Sequence, residues 1–220
     1  MPLERIAVAT DPPVRGVLHP AASREGPGLV LTHGAGGNAE APLLVAVAEA
    51  FAARGVSVLR CDLPYRQLRA RGGPSPAGAA RDRAGLRTAL GVLRERVGSR
   101  LFLGGHSYGG RQASMLVADE PGLVSGLLLQ SYPLHPPGKP DNVRTAHLPR
   151  LRVPTLFVHG TTDPFATPAE LASIRPLIPA RTEVITINAG HDLGWSRARA
   201  SDLALPVRIA TAFLELTQAR

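Results

Sequence analysis

Gly105-His106-Ser107-Tyr108-Gly109 is the stretch on which the reading of this chain turns. It follows the apolar run Leu101-Phe102-Leu103-Gly104 and leads into Arg111-Gln112-Ala113-Ser114-Met115-Leu116-Val117-Ala118, whose composition suits a helix. A G-x-S-x-G match marks a nucleophile elbow only in this strand–turn–helix setting, where the serine is held on a strained turn with its hydroxyl exposed. The glycines have a mechanical reason: strand and helix crowd the turn, and a neighbouring Cβ has no room. The competing reading of Ser107 is a helix N-cap after a glycine turn. Its partners must decide between them.

A serine hydroxyl is a poor nucleophile at neutral pH and needs a base to take its proton, with an acid to orient that base. Asp163, in Gly160-Thr161-Thr162-Asp163-Pro164, follows the strand-like run Thr155–His159. His191, in Ala189-Gly190-His191-Asp192, follows the run Glu183–Ile187. The order Ser, Asp, His is the order of a single fold, and each residue lies just past the carboxyl end of a predicted parallel strand. Asp163 as a cap of the helix near Pro168, Asp192 as the acid, and His191 as a loop histidine with local hydrogen bonds are the rival readings. No other histidine follows Asp163, so a triad here has His191 as its base. The oxyanion hole of such a site uses backbone N–H groups. One belongs to the residue after the nucleophile, Tyr108; the other falls in His33-Gly34-Ala35-Gly36-Gly37, at Ala35 with Gly34 next in line.

The rest of the chain alternates short apolar runs with longer helical ones. Further strands are predicted at Val14–Leu18, Leu29–Thr32, Val56–Arg60 and Gly126–Gln130, and helices at Leu43–Ala53, Ala80–Arg96, Gln112–Ala118, Pro168–Ile174 and Leu205–Leu216. The strands are unbroken apolar runs, as in a mostly parallel sheet buried on both faces, so the fold class is α/β. Gly72–Gly78 holds no helix or strand in this reading, and Ser131–Arg150 is a Pro-rich insertion too short for a cap domain.

At 220 residues the chain is expected to be one domain. No apolar run is long enough to span a bilayer, and Met1–Thr10 carries no apolar core of a secretory signal. Cys61 is the lone cysteine, so no intrachain disulfide forms, which fits a cytoplasmic protein. The formal charge of +8 is carried by arginines spread along the chain, with Lys139 the single lysine; this is a compositional bias rather than a nucleic-acid footprint. The densest group, Arg60, Arg66, Arg69 and Arg71, reads as a solvated loop. No zinc-type spacing and no dinucleotide fingerprint is present, so neither metal nor cofactor is expected, nor a membrane partner.

Over nearly its whole length the chain resembles the α/β-hydrolase superfamily. Ser131-Tyr132-Pro133-Leu134-His135-Pro136-Pro137-Gly138-Lys139-Pro140 and Thr155-Leu156-Phe157-Val158-His159-Gly160 narrow the resemblance. They are similar to a compact lidless group that includes a vertebrate testis-expressed protein and the third subunit of the NSL histone-acetyltransferase complex, and to dienelactone-hydrolase-like enzymes. The resemblance implies helices on both faces of the sheet, no large cap domain, and Ser107, Asp163 and His191 as triad. It favours Asp163 over Asp192 as the acid. It implies no substrate, and because one member serves in a chromatin complex, a non-catalytic interaction module is the alternative. The expected activity is hydrolysis of a small carboxylic ester through an acyl-serine; a thioester or amide would use the same parts. Candidate substrate contacts are Gly34, Tyr65, His106, Tyr132 and His135. Bracing of loops is the competing reading for His33 and His106, and surface decoration for His135 and His147. Cys61 reads as a small buried residue, and the sequence carries no signal of oligomeric state.

Overall fold

The structure, a computed structural model, describes residues 1–98, 100–196, 200 and 202–218. Runs such as Leu29-Val30-Leu31 and Leu127-Leu128-Leu129 leave no face of a strand polar, so both faces need cover. The chain supplies it with one eight-stranded sheet between two helical layers. The strands are β1 (Glu4–Val8), β2 (Val14–His19), β3 (Gly28–Thr32), β4 (Ser57–Cys61), β5 (Leu101–His106), β6 (Leu127–Gln130), β7 (Thr155–Gly160) and β8 (Thr182–Ile187). Their spatial order is β1-β2-β4-β3-β5-β6-β7-β8, with β2 antiparallel to both neighbours and every other pairing parallel. The helices are α1 (Pro42–Ala52), α2 (Pro64–Leu68), α3 (Ala79–Arg94), α4 (Tyr108–Asp119), α5 (Pro168–Ile174) and α6 (Leu205–Gln218).

Side chains alternate across the sheet with period two, which sorts the core into two layers. Leu29, Leu31, Phe102, Leu128 and Val158 pack against Val47 and Phe51 of α1 and Ile209 and Phe213 of α6. Val30, Leu103, Leu129 and Phe157 face Leu86 and Leu90 of α3 and Leu116 and Val117 of α4. Phe213 meets Phe51 and Phe102 edge to face, at 5.6 and 5.1 Å between centroids.

Seven predicted strands and five predicted helices are present, α5 with the predicted ends and the others with one or both ends shifted. Two elements went unread. β1 buries only Ile6, so its sequence shows no apolar face. α2 is five residues long, too short for a periodic pattern. The basic cluster is not a solvated loop throughout: Arg60 lies inside β4 at 1% exposure and Arg66 inside α2 at 8%. Within Gly72–Gly78, Pro76–Gly78 forms a single 3-10 turn, capped by the Ser75 side chain. Residues 131–150 carry one such turn, Leu148–Arg150, and are anchored by Tyr132, Leu134 and Leu148 in the core. No helix among the described residues is long and apolar enough to cross a membrane.

Candidate active site

The parallel strands β3, β5, β7 and β8 end at one edge of the sheet, and the loops that follow them meet there. Ser107 stands between β5 and α4 with φ 50° and ψ −118°, a left-handed conformation that costs an L-residue energy. The glycines make it possible. A Cβ on Gly105 would lie 2.7 Å from Gly109 C and Gly110 N, and one on Gly109 would lie 2.4 Å from the His33 oxygen. The backbone then holds the turn, with Ser107 N–H donating to Gln130 O at 2.8 Å and Arg111 N–H to Ser107 O at 2.9 Å.

Ser107 Oγ lies 2.8 Å from His191 Nε2, and His191 Nδ1 lies 2.8 Å from Asp163 Oδ2. Asp163 Oδ1 accepts from Phe165 N–H at 2.9 Å. Burial alone would raise the Asp163 carboxyl; the hydrogen bonds from His191 and from the Phe165 amide outweigh it and hold the group below its ordinary value. A carboxylate here accepts from Nδ1–H, which leaves Nε2 able to take the Ser107 proton. The helix-cap role belongs to Thr167, whose side chain forms a capping box with Glu170 at the start of α5. Asp192 makes no bond to the imidazole; its carboxylate accepts from Gly194 N–H at 3.0 Å.

His106 lines the same cavity as Ser107, yet its ring is committed to bracing: Nε2–H donates to His191 O at 2.8 Å. Ser131 Oγ donates to the same carbonyl at 2.8 Å, so two side chains fix the loop that carries His191. Burial, and next the charge of a protonated His191, pull His106 down to about 4, so it is neutral near pH 7. Phe165 packs on the other side of His191, with 4.3 Å between ring centroids.

The loop after β3 is held from behind. Gly34 O accepts from His33 Nδ1–H at 2.8 Å and from Gly37 N–H at 3.0 Å, and Ala35 O accepts from the Tyr65 hydroxyl at 2.8 Å and Arg66 Nη2 at 3.0 Å. Arg66 Nε–H also donates to Gly37 O at 2.8 Å. In a trans peptide the C=O of one residue and the N–H of the next point in opposite directions. Binding the Gly34 carbonyl on the His33 side therefore turns the Ala35 N–H the other way. Among the described residues, neither the Ala35 nor the Tyr108 amide has an acceptor.

A cavity of about 390 Å³ opens at Ser107, its walls largely apolar and supplied by Leu43 and Leu44 at the start of α1, by Phe165 and by Trp195. Gly34, Ala35 and His106 line it as well. Tyr65 reaches the site only through the loop carbonyls it holds. Tyr132 is fully buried, bonded to Ser114 and His147 and set edge-on to Phe157, so it is a core residue and not a cavity wall. His135 and His147 are 6% exposed and are not surface decoration; His135 pairs with Glu170 and His147 with Ser114. Burial pushes the Cys61 thiol up to about 12, which leaves it inert. The apolar wall from α1 and the Arg66 clamp were not read from the sequence. Pro42 at the first helical position was the available signal that a helix starts beside the glycine loop.

Residues 25–218 match the family described as the alpha/beta hydrolase domain, and the chain belongs to that family. Its fold is also that of Est1E from Butyrivibrio proteoclasticus, at a TM-score of 0.76 and 16% identity, over 98% of this chain and 99% of that one. The dienelactone hydrolase from Anabaena variabilis aligns at a TM-score of 0.73 and 18% identity, over 99% of this chain and 97% of that one. An esterase domain of a Rhodothermus marinus protein aligns at 0.69 and 14% identity, over 99% of both chains.

Proposed function

We propose that the protein is a serine hydrolase that cleaves the carboxylic ester of a small substrate. The observation that carries this reading is the unbroken relay Ser107–His191–Asp163, 2.8 Å at each step, on a strained turn beside two amides without acceptors among the described residues. Family membership and the esterase and dienelactone hydrolase among its structural neighbours support it.

In this mechanism His191 Nε2 takes the Ser107 proton as Oγ attacks the acyl carbon, while Asp163 stabilises the imidazolium that forms. The carbonyl oxygen becomes an oxyanion held by the Ala35 and Tyr108 N–H groups. His191 then gives its proton to the departing alcohol, leaving an acyl-serine. Water, deprotonated by the same imidazole, releases the acid and restores Ser107. The largely apolar cavity, about 390 Å³, suits a short acyl chain.

A neutral fluorophosphonate probe tests the nucleophile: labelling of the parent and none of Ser107→Ala is expected. A parent protein that takes no label overturns the hydrolase reading and leaves the fold as an interaction module. p-Nitrophenyl esters of increasing chain length test the substrate size, with turnover expected to decline beyond short chains.

A further inference from the structure

Ser107 stands where two cavities meet. The second, also about 390 Å³, shares Ala35, Ser107 and Phe165 with the first. Its remaining polar walls come from Ser75, Tyr108, Arg111, Gln112 and Arg144, and among the described residues no carboxylate lines it. Arg111 sits in the first turn of α4, one turn beyond the elbow. Arg144 reaches the same cavity from residues 131–150, where its backbone N–H donates to Leu134 O at 2.9 Å.

These two half-buried guanidinium groups depart from how this chain treats its buried arginines, Arg60 and Arg66. Arg60 donates to His19 and to Ala39 O, and Arg66 satisfies backbone carbonyls of Ala35, Gly37, Ala70 and Gly72. Arg111 and Arg144 have neither a hydrogen bond from the side chain nor an ion pair among the described residues, and the buried Nε of Arg111 has no partner. Gln112 adds to the surplus of donors. Its Oε1 accepts from Arg83 Nη1 at 3.0 Å, which fixes the amide, and its buried Nε2 is left without an acceptor. Both cations line the one cleft, and burial, then the charge of Arg111, draw Arg144 below its ordinary value. Like charges held together in a half-buried cleft with no acid between them are relieved by an anion.

We propose that this second cavity is a subsite for an anionic group carried by the substrate, a carboxylate or a phosphate, held by Arg111 and Arg144 while the ester carbonyl lies at Ser107. The proposal deepens the reading of Ser107 as the nucleophile and rests on it for the position of the ester. Guanidinium forks match both oxyanions in shape, and such charge-assisted bonds are the strong ones. The substrate would then span the elbow, apolar on the α1 side and charged on the Arg111 side.

Binding can be read without turnover. Calorimetric titration of the full-length Ser107→Ala protein with glutarate and, in a second arm, with phenyl phosphate is expected to give heat with at least one and so to say which anion fits. Adding Arg111→Gln or Arg144→Gln should weaken that Kd by about tenfold or more. Arg144 lies outside the helices and strands, so its variant carries the test if Arg111→Gln fails to fold. In the active protein, mono-p-nitrophenyl glutarate should exceed p-nitrophenyl butyrate in kcat/KM, and both variants should shrink that ratio. No heat with either anion, a Kd unmoved in Arg144→Gln, or, where glutarate is the anion that binds, no preference for the charged ester overturns the subsite. Fluorophosphonate labelling keeps the two readings apart: label without anion binding removes the subsite alone, and anion binding without label removes the hydrolase alone.

Discussion

Among the described residues stand two Ser–His pairs with the same 2.8 Å separation, Ser107–His191 and Ser114–His147, seven residues apart at the serines. They differ in everything else. Ser107 is forced into a left-handed turn at the sheet edge, whereas Ser114 sits mid-helix in α4 with no exposure. Asp163 stands behind His191; among the described residues no carboxylate is bonded to His147, whose Nε2 also meets the Tyr132 hydroxyl at 3.0 Å. Ser114 Oγ has the Arg111 carbonyl at 2.9 Å as an outlet for its own proton. A short serine–histidine distance is therefore no sign of a nucleophile. Access, an oriented base and donors waiting for the oxyanion make the difference.

The comparison breaks most sharply at the serines. Ser107→Ala should lower kcat on p-nitrophenyl butyrate by on the order of a millionfold, as removal of a triad serine does elsewhere. Ser114→Ala should keep the fluorophosphonate label, and a lost label would mean that the buried pair feeds the site. Next in size is the acid. Asp163→Asn should cost about ten-thousandfold in kcat with a far smaller change in KM, since it presents the wrong partner to Nδ1–H and spoils the tautomer.

How legible this was depended on the kind of residue. The relay could be read because a nucleophile elbow needs glycines at fixed places, and the acid and base must follow particular parallel strands. Gly105 and Gly109 leave a signature since a Cβ at either would strike backbone. The packing around the site left none. Tyr132 and His135 lie in a stretch of prolines that looks like surface, but Leu134 and Leu148 tie that stretch into the core and bury them. Arg66 reads as one more arginine in a basic run. Its role depends on α2, too short to show periodicity, turning it beneath the glycine loop.

That loop gives a third, smaller effect. Tyr65→Phe removes the hydroxyl that donates to Ala35 O and leaves Arg66 as the remaining side-chain donor to it. One net hydrogen bond is about 1 kcal/mol, so kcat should fall about fivefold while KM stays within a factor of two. Tyr65 acts as a positioning residue, and a change confined to KM would contradict that. Tyr108 is a useful contrast, because its hydroxyl donates away from the loop, to Asp82 Oδ2 at 2.8 Å.

The last effect concerns stability rather than rate, and it separates the pairs by pH. Burial first, then Arg111 and Arg150, pull His147 down to about 4 against a weaker opposing pull from Asp119. Unfolding returns the ring to its ordinary 6.5, so between those values the unfolded chain binds the extra proton. Stability from the neutral, bonded ring is thus whole above about pH 6.5, erodes as the pH falls, and is fully lost below about pH 4. At 1.36 kcal/mol per pKa unit the loss is at most about 3 kcal/mol, several degrees in Tm for a chain of this size. His19 and His106, also drawn down to about 4 chiefly by burial, add to the slope in the same direction. His147→Gln should therefore lower Tm at pH 7 yet lose less Tm than the parent on going to pH 4.5, with the neutral fluorophosphonate still labelling Ser107 at pH 7. An unchanged slope would mean that His147 keeps its proton in the fold, and that burial does not set its charge apart from that of His191.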